Sequence, residues 1–281
     1  MADFKVLLDG LIFTEGPRWH DGKLFFSDMH AHKVMSVDLD GKAQTVVEVP
    51  TWPSGLGWLP DGRMLIVSMT DRKVLRQDPD GLKTHADISH LASFYCNDMV
   101  TDSKGRSYVG NLGYNLFIDA PKKNTELVLV NPDGSSRVAA DDLDFPNGTV
   151  ISPDGKTLVV GESMGHRLAA FDIASDGSLS NRRVWAQLHE EAIPDGIALD
   201  AEGAIWVASP MSFEMLRVRE GGEIAERIKF DTMPIACALG GPGRRTLFML
   251  TSDSINPDEC RAKKASKIWT REVAVPGAGL P

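Results

Sequence analysis

One short pattern recurs six times along the chain: a turn-flanked apolar run, a Gly- or Asp-containing turn, then a second apolar run. The copies read "EGPRWHDGKLFFSD", "SGLGWLPDGRMLIVSM", "NDMVTDSKGRSYVGN", "NGTVISPDGKTLVVGES", "DGIALDAEGAIWVAS" and a weaker "ACALGGPGRRTLFMLTS". They start at Glu15, Ser54, Asn97, Asn147, Asp195 and Ala236. Each apolar run is too short for a helix and is rich in Val, Ile, Leu and Phe, so each predicts a strand. A period of roughly forty to fifty residues suits a four-stranded propeller blade. Two further strand-like runs follow each copy, as "RLAAFDI" and "RRVWAQL" follow "TLVVGES". The expected fold is therefore all-β, a six-bladed β-propeller with a central channel, and residues 1–281 form one domain. The early run "FKVLLDG" reads as an outer strand, and the late run "KIWTREVAV" supplies strands of the last blade. The two ends would then meet in one blade and close the ring, leaving few open edges. No long amphipathic helix is expected; "SHLASFY" and "PDECRAKKA" suit a turn or two at most.

The repeat supplies a phase, and the phase sorts look-alike turn motifs. Pro60-Asp61-Gly62, Pro153-Asp154-Gly155 and the "AEG" ending at Gly203 fall between the first and second strands and read as hairpin turns. Pro79-Asp80-Gly81 and Pro132-Asp133-Gly134 follow third strands and also read as turns. Pro146-Asn147-Gly148 and Pro194-Asp195-Gly196 instead precede the innermost strand, at its opposite end. Glu15 and Asn97 hold the same slot in their own units, while Ser54 and Ala236 fill the other two with small residues. Four oxygen-bearing side chains would thus converge on one mouth of the channel.

Glu15, Asn97, Asn147 and Asp195 form a hard-oxygen set suited to Ca²⁺, Mg²⁺ or Mn²⁺. Without His or Cys, the set does not describe a closed zinc site. A cation so held can polarise a carbonyl or phosphoryl oxygen, and a neighbouring carboxylate can act as general base. A cation that only plugs and stiffens the channel is the non-catalytic alternative.

Composition narrows the partners. Lys+Arg 30 against Asp+Glu 39 gives a net charge of -9, which argues against nucleic acid or an anionic membrane surface. No basic leader, cleavage site or membrane-length apolar run is evident. Cys96, Cys237 and Cys260 are odd in number and widely spaced, which suggests a reducing, cytoplasmic setting. Oligomeric state is not legible.

The ordered motifs "TEGPRW", "YCNDMVTDSKGR", "FPNGTVISPDGKTL" and "IPDGIALDAEGAIWVA", with the ending "VAVPGAGLP", resemble the senescence marker protein/gluconolactonase/luciferin-regenerating enzyme family over essentially the whole chain. The resemblance implies a six-bladed propeller with one divalent metal in its channel and, for many members, lactone hydrolysis. By motif, it implies Glu15, Asn147 and Asp195 as metal ligands and Asn97 as a further ligand or a holder of water or substrate oxygen. Asp195 would also be the general base. Ca²⁺ is the expected ion on chemical grounds, with Zn²⁺, Mn²⁺, Mg²⁺ or Fe²⁺ as alternatives.

One departure bears on substrate. Sugar-lactonase members carry an Arg two residues before the Asn of the "ND" motif, and this chain has Tyr95 there. Second strands returning to the same mouth would bring Met29, Met69, Asn111, Met164 and Met211 near it, with Tyr114 and Phe117 as a lid and Trp52 as a wall. Tyr95, Asn111, Tyr114, Met164 and Trp52 are the expected substrate contacts. They suggest a small lactone or ester less polar than an aldonolactone. His30, His32 and His166 point roughly the same way and receive no role; Trp19, Trp58 and Trp206 read as blade core. Organophosphate hydrolysis on the same site is the second enzymatic alternative.

Overall fold

The computed structural model describes residues 4–115, 118 and 120–279. Six four-stranded antiparallel sheets follow one another, each ordered from inside to outside in chain order save the last. The innermost strands are Thr14–His20, Pro53–Trp58, Cys96–Thr101, Pro146–Ile151, Ile197–Leu199 and Met233–Gly240. In the sixth blade the outer strand is Lys5–Leu11, paired antiparallel with Ser266–Glu272. The ring is thus closed by both ends of the chain, as the strand pattern predicts.

Apolar side chains of adjacent blades interleave to make the core. Leu65 and Val67 pack with Met99 and Val109 between the second and third blades. Trp206 and Met215 meet Leu247 and Met249 between the fifth and sixth, and Phe26 meets Phe248 across the closing junction. Each such side chain contributes about 1.5–3 kcal/mol of burial. Trp206 is core, as expected. Trp19 and Trp58 instead cover core from a half-buried position: Trp19 stacks on Phe248 at 5.4 Å and Trp58 on His20 at 4.1 Å.

At the channel the blades touch backbone to backbone, and glycine permits it. A Cβ on Gly55 would lie 2.3 Å from Met99 N, and one on Gly148 would lie 2.4 Å from Asp195 O. These glycines directly follow the Ser54 and Asn147 slots. Hairpin glycines Gly62, Gly155 and Gly203 sit at the other end of their inner strands with positive φ, as the repeat phase predicts.

At that other end Pro276–Ala278 bonds to the fifth and sixth blades, with Ala201 N donating to Pro276 O at 2.8 Å, Ala278 N to Leu199 O at 3.0 Å and Gly277 N to Arg244 O at 2.9 Å. Ala278 helps line a cavity of about 30 Å³ together with Arg18, Thr149 and apolar inner-strand residues. It has room for a water or two. Away from the channel, Pro257–Lys263 forms a helix capped by Asn256, whose Oδ1 accepts from Asp258 N and Glu259 N. It lies on the 3-10 turn Met29–Ala31 of the first blade. Among the described residues no helix is long and apolar enough to cross a membrane.

Candidate metal centre

A register irregularity recurs where the oxygen-bearing side chains sit. Pairing between first and second strands breaks between Glu15 and Arg18, Pro53 and Leu56, Cys96 and Met99, and Pro146 and Thr149. In the fifth blade the inner strand begins only at Ile197, just past Asp195. A bulge interrupts strict alternation and re-aims side chains. Consecutive residues of one strand, such as Asn97 and Asp98, are therefore both released from it.

Glu15, Asn97 and Asn147 are buried, and Asp195 keeps part of its surface open. Burial pushes the Glu15 carboxyl well above the usual range, and the nearby Asp195 and Asp98 push it further. Asp195 is pushed up to about 8, mainly by burial, with Asp98 adding to the rise and a hydrogen bond from Asn147 opposing it. Like charges in a water-poor channel resist ionisation unless a cation joins them.

Hydrogen bonds hold the amides. Asn147 Nδ2 donates to Ser163 Oγ at 3.2 Å, and Ser163 Oγ donates to Pro194 O at 2.7 Å. Gly148 N reaches Asp195 O at 3.1 Å, so the fourth and fifth blades are tied beside Asn147 and Asp195. Ser54 Oγ donates to Asn97 Oδ1 at 3.4 Å, and Ser27 Oγ fixes Ser54 O at 2.7 Å. Arg18 pairs with Asp98 at 3.0 Å, both buried. Repeat reasoning did not single out Ser163, Arg18 or Asp98, although Asp98 stands where most blades carry glycine.

Among the described residues no three His, Cys, Asp or Glu side chains gather as a metal cluster. The donor set here is of another kind, two carboxylates completed by two amides, and hard cations accept carbonyl oxygen as readily as carboxylate. The reluctance of these carboxyls to ionise supports the fit: burial and the nearby Asp195 and Asp98 push Glu15 up, and Arg18, paired with Asp98, opposes this only in part. Glu15, Asn97, Asn147 and Asp195 are the residues that would hold a cation.

Around this mouth the first three blades present an aromatic array. Trp52 meets Tyr95 edge-on at 6.2 Å and His30 at 4.9 Å, while Phe13 lies 5.1 Å from His30. Tyr95 stacks on Phe94 at 4.2 Å. His30 is buried and pushed down to about 4, chiefly by burial, which leaves its ring neutral.

The other expected contacts divide by burial. Asn111 is fully buried: Nδ2 donates to Glu126 O at 2.9 Å, and Oδ1 accepts from Phe94 N, Gly113 N and Thr125 Oγ1. Its amide braces the loop beside Tyr95, and no part of it is exposed to meet substrate. Met29 and Met69 are packed in the core, whereas Met211 is exposed. Met164 is half-buried, its carbonyl accepting from Lys122. Tyr114 is half-buried and edge-on to Phe145 at 6.2 Å. Phe117 lies outside the described residues. His32 and His166 close 3-10 turns in left-handed conformation.

Comparison with known proteins gives the chain its relatives. Residues 13–253 match the "SMP-30/Gluconolactonase/LRE-like region" model. Regucalcin of Xenopus laevis is 27% identical over 255 residues, covering 87% of this chain and 85% of its own. A 6-deoxy-6-sulfogluconolactonase of Pseudomonas putida is 26% identical over 190 residues, covering 66% and 64%. Among solved structures, the calcium-binding protein regucalcin of Agrobacterium tumefaciens superposes with a TM-score of 0.82 at 21% identity, covering 98% of this chain and 95% of that one. With six blades in register and the model spanning most of its length, the chain belongs to the SMP-30/gluconolactonase/LRE-like family.

Proposed function

We propose that the protein is a metal-dependent lactone hydrolase of the cytoplasm, with Ca²⁺ the favoured ion. The observation that carries this reading is a pair of buried carboxylates from the first and fifth blades, Glu15 and Asp195, close enough at one channel mouth for Asp195 to raise the cost of ionising Glu15. Kinship with a sulfogluconolactonase and with calcium-binding regucalcins supports it. So do three buried free thiols, as a reducing setting would leave them.

A bound divalent cation supplies a Lewis acid for the lactone carbonyl and charge for the developing oxyanion. Asp195 takes a proton from the water whose oxygen attacks the carbonyl carbon. As the tetrahedral species collapses, the ring C–O bond breaks, and Asp195 returns that proton to the leaving oxygen. The product is an open-chain hydroxy acid. Asn147 holds Asp195 by a hydrogen bond that favours its ionised form. Asn97, with Oδ1 engaged by Ser54, offers its amide N–H to a substrate oxygen. Trp52 and Tyr95 present ring surface where a sugar-specific enzyme presents a guanidinium, and this favours an alkyl- or aryl-bearing lactone or ester.

The test is a lactone panel with metal-stripped and reloaded protein. Hydrolysis is expected only after reloading and is expected to be lost in Asp195→Asn. Gluconolactone turnover far above that of alkyl and aryl lactones would overturn the substrate class. Loaded protein that opens no lactone but hydrolyses a phosphotriester would move the chemistry to phosphorus. The calcium-binding relatives favour a second reading, cation storage without turnover. Asp195→Asn changing affinity or stability in a protein with no activity to lose would establish it.

A further inference from the structure

The third blade carries Asp98 where the first, second, fourth and fifth carry Gly16, Gly55, Gly148 and Gly196. That substitution puts a third carboxylate beside the cation position, and the structure gives it a partner from another blade. Arg18 Nη2 reaches Asp98 Oδ1 at 3.0 Å and also donates to Met99 O, while Nη1 donates to Pro17 O at 2.8 Å. Met99 N donates to the same Asp98 oxygen at 2.8 Å. Both partners are more than nine-tenths buried, at 6% and 5% exposure. Arg18 also lines the small cavity beneath, so its charge sits under the ring of ligands. Neither residue belongs to the four-oxygen set.

We propose that the Arg18–Asp98 pair sets the charge that the channel offers a cation, holding the ring at two net negative charges and so limiting how tightly the ion is bound. With a dication bound, Glu15 and Asp195 would be ionised and supply the two negative charges, while the Arg18 guanidinium paired with Asp98 offsets the third carboxylate. In a channel of low effective dielectric, a unit charge at this range changes the affinity for a dication by at least about tenfold. The pair is buried, so salt screens it poorly. A moderate charge keeps the ion exchangeable and its ligand shell open to substrate; a third uncompensated carboxylate would add charge and a competing oxygen. The idea rests on the metal-binding reading above, but it concerns affinity and not turnover.

Three variants form a charge ladder, read by calcium titration of the metal-stripped protein in a calorimeter at one fixed, mildly alkaline pH. Asp98→Asn keeps an acceptor for Arg18 and removes one negative charge; affinity is expected to fall at least about tenfold. Arg18→Met removes the positive charge; affinity is expected to rise at least about tenfold. The double variant returns to within about threefold of wild type, since the two changes cancel. If Arg18→Met folds only when calcium is present, that rescue supports the proposal in the same direction. A pair that merely ties two blades together gives losses in every variant, or no change in any, and either result overturns the proposal. Wild-type protein that binds no calcium sinks the metal reading with it. Wild type that binds calcium and opens lactones, with variants off the ladder, sinks this inference alone.

Discussion

Asn147, on the first strand of the fourth blade, and Ser163, in the 3-10 turn that follows its second strand, are joined by a 3.2 Å hydrogen bond that occupies an amide N–H of Asn147 and directs the amide. Ser163 passes the constraint on to Pro194 O, one residue before Asp195. Outer hydrogen bonds of this kind govern ligand orientation. Ser163→Ala is expected to weaken calcium binding about tenfold and to cost about 1 kcal/mol of stability. Calcium titration beside thermal melts checks both.

Two look-alike triplets in one blade should respond differently. Asn147→Ala is expected to abolish metal-dependent hydrolysis. Asp154→Asn alters an exposed hairpin in which Asp154 accepts from Ser152 Oγ and Lys156 N, and should leave activity intact with little change in melting temperature. Lactone turnover by both variants under saturating metal is the measurement.

The metal-free protein should lose stability as pH rises. In the folded state Asp195 holds its proton up to about 8 and Glu15 holds its own well above the usual range, whereas both ionise near 4 when unfolded. Between those limits the native state binds more protons, so its stability falls with rising pH. Metal should reverse the trend there, and its binding should release protons. Melting temperature across pH with chelator and with calcium, together with calorimetry in buffers of different ionisation enthalpy, tests the sign.

Tyr95→Arg places a guanidinium where sugar-specific relatives carry one. The efficiency (kcat/KM) for an aldonolactone is expected to rise about tenfold, and that for an aryl lactone to fall similarly, a shift of about 1.4 kcal/mol in each direction. Equal losses on both would count against Tyr95 as a substrate contact.

Gly148→Ala should be severe. The added methyl would meet Asp195 O at 2.4 Å and Ile197 N at 2.5 Å, both backbone atoms unable to move aside. A loss of about 3 kcal/mol, with weakened metal binding, is expected. Denaturant melts and metal titration report it. Gly155→Ala, by contrast, meets no atom and is strained only through its φ of 69°.

The fold was legible because the repeat is local: each unit carries its own strand pair and turn, and alignment transfers position from one to the next. Glu15, Asn97, Asn147 and Asp195 emerged from that register together with the resemblance. What stayed hidden is made between units. The Arg18–Asp98 pair spans two blades, and nothing in either segment names its partner. Bulges beside Glu15, Asn97 and Asn147 break the alternation from which side-chain direction is ordinarily inferred. That is also why Asn111, placed at the mouth by its strand end, proves to be spent on Glu126 and its neighbours. Met29 and Met69 lie beside Trp52 and Tyr95 as their strand ends suggest, but they face the core, since a strand terminus locates a residue without saying which way it faces.

The strand Lys5–Leu11 completes the last blade by pairing with Ser266–Glu272, at the opposite end of the chain. During folding this is the slowest kind of contact to make, because nearly the whole polypeptide must be ordered or looped before it forms. Glu15 lies a few residues beyond that strand and Asp195 is four blades away. The proposed cation position would therefore come into being only as the ring shuts. An ion that prefers the finished channel acts as a latch, slowing reopening of the junction without hastening its formation.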